Sequence, residues 1–98
     1  MDRDIIISGV HLDLTEALKQ IVTEKAEKLY RRDERIIRIR FDLEHVTTKD
    51  PATEFVAKGH IEIQGPDIIA SSASDDLYKS IDLLIQKLDR QLSERIKK

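Results

Sequence analysis

Twice between Ile36 and Gln64 apolar and polar residues alternate one by one, and that period leaves few folds open. From Ile36 to Glu44, Ile37, Ile39, Phe41 and Leu43 fall on one side, and Arg38, Arg40, Asp42 and Glu44 on the other. From Thr53 to Gln64, Phe55, Ala57, Ile61 and Ile63 face one way, and Glu54, Lys58, His60 and Glu62 the other. Successive side chains of a strand point to opposite faces, so both segments read as strands with one buried and one wetted face. A sheet with one apolar face needs a second layer to cover it.

Two helical patterns supply that layer. Thr15 is placed as the N-cap of a helix running to Arg31 or Arg32, with Leu14, Leu18, Ile21, Val22, Ala26 and Leu29 at steps of three and four. Ser74, Asp75 and Asp76 start a second helix, with carboxylates at its positive end. Its apolar stripe, Leu77, Ile81, Leu84, Ile85, Leu88, Leu92 and Ile96, covers about 20 residues or roughly 30 Å. The three isoleucines of Asp4–Ser8 read as a first strand closed by Gly9. Ile68–Ser72, after the Gly65-Pro66-Asp67 turn, reads as a last strand with Ile68 and Ala70 inward. His45–Ala52 is a polar connection, and Gly59, at an inward position, marks a bulge or a close helix crossing.

The order is β-α-β-β-β-α, an α+β two-layer sandwich with a four-stranded mixed sheet and two helices on one face. The opening β-α-β unit makes strands one and two parallel, and the others follow as antiparallel hairpins. The sheet's outer face is left to solvent or to a partner. With 98 residues, a single domain over 1–98 is expected.

The chain has no cysteine, which excludes a disulfide framework, a Cys-ligated metal and a thiol nucleophile. The start, Met1 to Val10, carries Asp2, Arg3 and Asp4 and too short an apolar stretch for a signal peptide, so a cytoplasmic protein with no membrane span is expected. The three histidines, His11, His45 and His60, are spread over different segments without metal-ligand spacing. Gly9, Gly59 and Gly65 are isolated, so there is no glycine-rich phosphate loop, and no nucleophile elbow occurs. An enzyme, a metal, a cofactor or a small-molecule substrate is not expected.

Net charge is only −2, from 17 Lys and Arg against 19 Asp and Glu, but the charge is unevenly placed. Residues 25–40 hold seven basic and three acidic groups, residues 87–98 five and two, leaving five basic and fourteen acidic for the rest. Local field decides what a surface attracts within a Debye length of about 8 Å. Lys25, Lys28, Arg31 or Arg32, and Arg35 recur at helical steps, and Lys87, Arg90 or Gln91, and Lys98 form a second row. These rows either flank one groove as a phosphate-binding surface or are solvated faces with intrahelical pairs such as Glu24 with Lys28 or Glu94 with Lys98. Phe41 and Phe55 point inward, so base stacking on the sheet is not the expected mode.

The run Asp76-Leu77-Tyr78-Lys79-Ser80-Ile81-Asp82, followed by Lys87-Leu88-Asp89-Arg90-Gln91-Leu92, resembles the signature D-M-Y-x-A-I-D-x-x-x-x-K-L-x-R-Q of the ribosome hibernation promoting factors. That family includes ribosome-associated inhibitor A, or protein Y, and carries the older label of sigma-54 modulation proteins. Ile7-Ser8-Gly9, Leu14-Thr15-Glu16-Ala17-Leu18, Lys25 and Lys28-Leu29 match as well, so the resemblance covers nearly the whole chain. It implies the same fold and a non-enzymatic factor, a monomer when free, that binds the small ribosomal subunit and its rRNA. There it would exclude mRNA and tRNA from their channel near the A and P sites during stress. A short form is implied, without the further C-terminal domain through which long members pair ribosomes.

By position in the family pattern, Lys25, Lys28, Lys79, Lys87, Arg90 and Gln91 are the expected RNA-facing residues, joined by Arg31 and Arg32 of the basic row. Tyr78 and Asp82 match the signature too, Tyr78 chiefly as a helix anchor. Asp33, Glu44 and Glu94 depart from the family pattern by removing positive charge or an aromatic group. The alternatives are a protein–protein regulatory module acting through the charged sheet face, or a general binder of structured RNA.

Overall fold

The computed structural model describes residues 4–96. Its elements are β1 (Ile5–Val10), α1 (Glu16–Arg32), β2 (Ile36–His45), a 3₁₀ turn at Pro51–Thr53, β3 (Phe55–Ile63), β4 (Ile68–Ser74) and α2 (Leu77–Ile96). The strands lie in the spatial order β1-β2-β3-β4. β1 pairs in parallel with β2, and β2–β3 and β3–β4 are antiparallel, as the alternation and the crossover predict.

Local chemistry sets the helix ends. The Thr15 hydroxyl accepts from the Leu18 backbone N–H at 3.1 Å, satisfying one of the donors a helix start leaves open. The start of α2 differs from the expectation, because β4 runs on to Ser74 and the helix begins at Leu77. Asp76 makes the cap, its carboxylate accepting from the Tyr78 N–H at 3.3 Å. Ser74 and Ser80 are buried and hydrogen-bonded to each other at 2.7 Å, while Ser80 also donates to the Phe55 carbonyl at 2.7 Å. Those bonds offset the cost of burying two hydroxyls at the junction.

The core lies between the sheet and the two helices. Leu18, Val22, Ala26 and Leu29 of α1 and Leu77, Ile81, Leu84, Leu88 and Leu92 of α2 pack onto Ile39, Phe41, Leu43, Ala57 and Ile61. Gly59 proves to be a close crossing. A Cβ there would lie 2.9 Å from Leu88 Cδ1 and 3.3 Å from Leu84 Cδ2, so α2 seats itself where β3 has no side chain.

Two local expectations are corrected. Ile37, expected inward, is 56% exposed, and Ile36 is buried in its place. The pairing of β2 with β3 shifts register between Ile36 and Arg38, and the extra residue turns Ile37 outward. Gly9 does not end β1 but sits within it. A Cβ at Gly9 would meet the Leu12 carbonyl oxygen at 2.9 Å, so its absence lets the next segment fold back, with His11 taking φ 54° at the turn.

With both helices on one face, the other face of the sheet is bare. Register places Ile6, Arg40, His60 and Ile69 in one row across it, and Ser8, Asp42, Lys58 and Ser71 in the next.

Candidate nucleic-acid interface

α1 leaves the sheet antiparallel to β2, and α2 does the same after β4, so the two helices run parallel. Among the described residues two ion pairs are seen between them. Lys25 Nζ lies 2.6 Å from Asp82 Oδ1, and Arg32 Nε lies 3.0 Å from Asp89 Oδ1. Both partners step by seven residues, two helical turns, so equal spacing on parallel helices brings each cation opposite a carboxylate. The Arg32 guanidinium also donates to the Ser93 hydroxyl. Parallel helices align their dipoles side by side, which is unfavourable. Arg31 and Arg32 in the last turn of α1 offset its negative end.

Lys28 stands on α1 between Lys25 and Arg32, and Arg31 lies beside Arg32. Both are exposed, and among the described residues neither is joined to a carboxylate. Arg90 is likewise exposed on α2 with no carboxylate partner among the described residues. Lys79 makes only a long i,i+4 contact with Asp75 at 3.9 Å, an exposed pair worth at most about 1 kcal/mol.

Lys87 and Gln91 lie on the opposite flank of α2. Lys87 Nζ donates to the Ser71 carbonyl at 2.7 Å, and Gln91 Nε2 to the Ile69 carbonyl at 3.4 Å. Those carbonyls belong to β4, an edge strand of the sheet, whose open acceptors would otherwise offer a pairing template. The eight expected residues therefore fall into three groups. Lys25, Lys28 and Arg32 line the side of α1 toward α2; Arg31, Lys79 and Arg90 are exposed on the helices; Lys87 and Gln91 guard the sheet edge.

The two basic rows do not face each other across one groove. The charged residues of α2 that meet α1 among the described residues are Asp82 and Asp89, because Lys87 lies on a different flank of the same helix. Nor does the intrahelical pair Glu24–Lys28 form among the described residues; within α1 Lys19 pairs with Glu16 at 3.8 Å, and Lys79 reaches back to Asp75, just before α2. The Glu94–Lys98 pair lies outside the described residues. A signal for the interhelical pairs was present in the matched spacing of Lys25 with Arg32 and Asp82 with Asp89. Reading it required knowing that the helices are parallel and adjacent.

The departures from the family pattern take different places. Asp33 is buried at the end of α1 and accepts from the Arg35 backbone N–H at 3.0 Å, from Nε at 2.9 Å and from Nη2 at 2.7 Å. Its hydrogen bond, and then its charge, raise the Arg35 pKa above the ordinary arginine value. Arg35 is thereby held in the α1–β2 turn and leaves the basic row. Glu44 lies on the sheet's outer face, across from Val56, and takes no charge from the helical layer. Glu94 is exposed on α2.

The histidines make local contacts. His45 Nε2 lies 2.7 Å from Glu54 and its ring stacks on Phe55 at 4.8 Å, while His60 bonds Asp67 at 2.8 Å. Among the described residues no group of three histidines and carboxylates is arranged to hold a metal ion.

Two parallel helices on one face of a four-stranded mixed sheet, with cations gathered on the helical layer, define a small β-α-β-β-β-α binding domain. Residues 5–98 match the family model described as sigma 54 modulation protein / S30EA ribosomal protein, and the chain belongs to that family. It is 38% identical over 88 residues to a ribosome hibernation promoting factor of Azotobacter vinelandii, covering 88% of this chain and 76% of that one. It is 37% identical over 90 residues to the Escherichia coli K12 protein of the same name, covering 90% of this chain and 87% of that one. The structure of a ribosomal subunit interface protein from Coxiella burnetii superposes with a TM-score of 0.79 at 28% identity, over 97% of this chain and 99% of that one. The Thermus thermophilus protein Y N-terminal domain gives the same TM-score of 0.79 at 21% identity, over 96% of this chain and 98% of that one, a likeness of fold.

Proposed function

We infer that the protein is a ribosome hibernation factor that binds the small ribosomal subunit through its helical layer. It represses translation by occupying the channel for mRNA and tRNA. The observation that carries this reading is the cluster of Lys25, Lys28, Arg31 and Arg32 on one face of α1, in a chain 38% identical to a protein of that name. Each cation that neutralises an rRNA phosphate releases counterions, so affinity is gained from charge and falls as salt rises. Specificity comes from fit to the subunit's shape, since phosphate contacts position a protein without reading sequence. The working form is a cytoplasmic monomer that needs no cofactor and catalyses no reaction. Among the described residues no helix is long and apolar enough to cross a membrane.

Co-sedimentation with purified small subunits over a salt series tests the reading. Stoichiometric binding that fades with salt and is competed by mRNA and tRNA is expected. No binding at low salt would overturn it.

The bare sheet face favours a second reading, a protein-docking module. Ile69 is 67% exposed there, among Arg40, Asp42, Lys58 and His60. Loss of a protein partner on Ile69→Asp, with subunit binding unchanged, would support that reading.

A further inference from the structure

We propose that Asp82 and Asp89 form an ionic brake on the helical RNA-binding face, holding Lys25 and Arg32 until a dense array of phosphates displaces them. This rests on the RNA-binding reading above and deepens it.

The cations of α1 are not equivalent in the free protein. Lys28 and Arg31 are exposed and, among the described residues, joined to no carboxylate. Lys25 and Arg32 are each in contact with a carboxylate of α2, at 2.6 and 3.0 Å. Arg32 is engaged twice, since Ser93 accepts from the same guanidinium. Along the helix the two held cations thus bracket the two that are not joined to a carboxylate among the described residues.

Exchange of a carboxylate for a single phosphate replaces one unit charge with another at similar distance, so the Coulomb gain is small. A nucleotide or a lone phosphate therefore has little to offer Lys25 or Arg32. A folded RNA differs because its phosphates carry condensed counterions, whose release supplies free energy for every cation engaged. The displaced carboxylates are also about half solvent-accessible: the side chain of Asp82 is 54% exposed and that of Asp89 44%. They return to water at little desolvation cost. First contact falls to Lys28 and Arg31, and the held pair joins only where phosphates are dense. The brake lowers affinity for sparse anions and single strands more than for compact RNA.

Three alternatives elsewhere in the molecule carry less. His11, Glu44 and His45 line one depression but are not arranged to hold a metal ion, the exposed sheet face shows no sign of what covers it, and Ser74 with Ser80 is satisfied internally.

The test uses Asp82→Asn with Asp89→Asn, which keep side-chain shape and a hydrogen-bond acceptor for the cations. Binding is read by fluorescence anisotropy with a labelled short RNA duplex and by co-sedimentation with small subunits, both over a salt series. The double variant is expected to bind the duplex about tenfold more tightly at low salt, with the log–log salt slope nearly unchanged because the duplex engages Lys25 and Arg32 in both proteins. The gain should vanish when Lys25 and Arg32 are alanine in the same chain. If the double variant does not fold, each single substitution should still give about threefold. Binding equal to or weaker than that of the natural chain, with the melting point kept, overturns the brake and leaves the carboxylates as supports. Failure of the underlying reading looks different: neither the natural chain nor any variant would bind RNA or subunits, and the brake would fall with it.

Discussion

On the flank of α2 that faces α1, Asp82 and Asp89 accept from Lys25 and Arg32, whereas on the flank that faces β4, Lys87 and Gln91 donate to the carbonyls of Ser71 and Ile69. The first set joins side chain to side chain. Its cations can trade one anion for another without changing the fold. The second set joins side chain to main chain, and those carbonyls are the open acceptors of an edge strand. Lys87 keeps two of its three donors for another acceptor, but its first bond is structural. Lys25, which meets one flank of α2, is thus exchangeable, and Lys87, on the other flank, is anchored.

The comparison depends first on where α2 sits. Leu88 is fully buried over Gly59, so Leu88→Ala should cost about 2–5 kcal/mol, read as a lowered midpoint in urea, and loosen both flanks together. A change below 1 kcal/mol would mean the helix is seated elsewhere. Next come the two kinds of cation. Lys28→Ala with Arg31→Ala should lower the salt slope of subunit binding by about two, with the melting point nearly unchanged. Lys87→Ala with Gln91→Ala should instead expose the β4 edge and raise concentration-dependent association, measured by sedimentation velocity. An equal loss of RNA affinity in both pairs, without association, would erase the distinction.

A smaller effect is expected at the end of α1. Asp33→Ala removes three hydrogen bonds from the α1–β2 turn and should lower the melting point by about 5 °C. The Arg35 pKa is raised in the folded state, so this contribution is complete below the unfolded arginine value and is lost only in strong alkali. The effect of Asp33→Ala should accordingly be the same at pH 6 and pH 9. Smallest of all, Lys79→Ala breaks only the 3.9 Å contact with Asp75 and should change stability by less than about 0.5 kcal/mol in a urea titration.

Much of the fold is legible along the chain because period two and period 3.6 are local consequences of backbone geometry. The alternation in Ile39–Glu44 and Phe55–Ile63, the Thr15 cap and the Leu77–Leu92 stripe each report their own element. Ile37 escaped that reading because a bulge depends on the partner strand, which the local sequence does not contain. Gly59 was open to two readings for the same reason: the side chains that need its empty space are Leu84 and Leu88, more than twenty residues away.

The candidate surface divides in the same way. Sequence by itself determined that positive charge concentrates in residues 25–40 and 87–98, since charge is a property of residue type. Tertiary structure alone decided which of those charges are available. It laid α1 and α2 side by side and parallel, turning seven-residue spacings into the pairs Lys25–Asp82 and Arg32–Asp89, and it put Lys87 against a strand edge. The physical reason is range. A helix face follows from neighbours three and four residues apart, but an ion pair follows from distance in space, here across 57 residues of chain from Lys25 to Asp82.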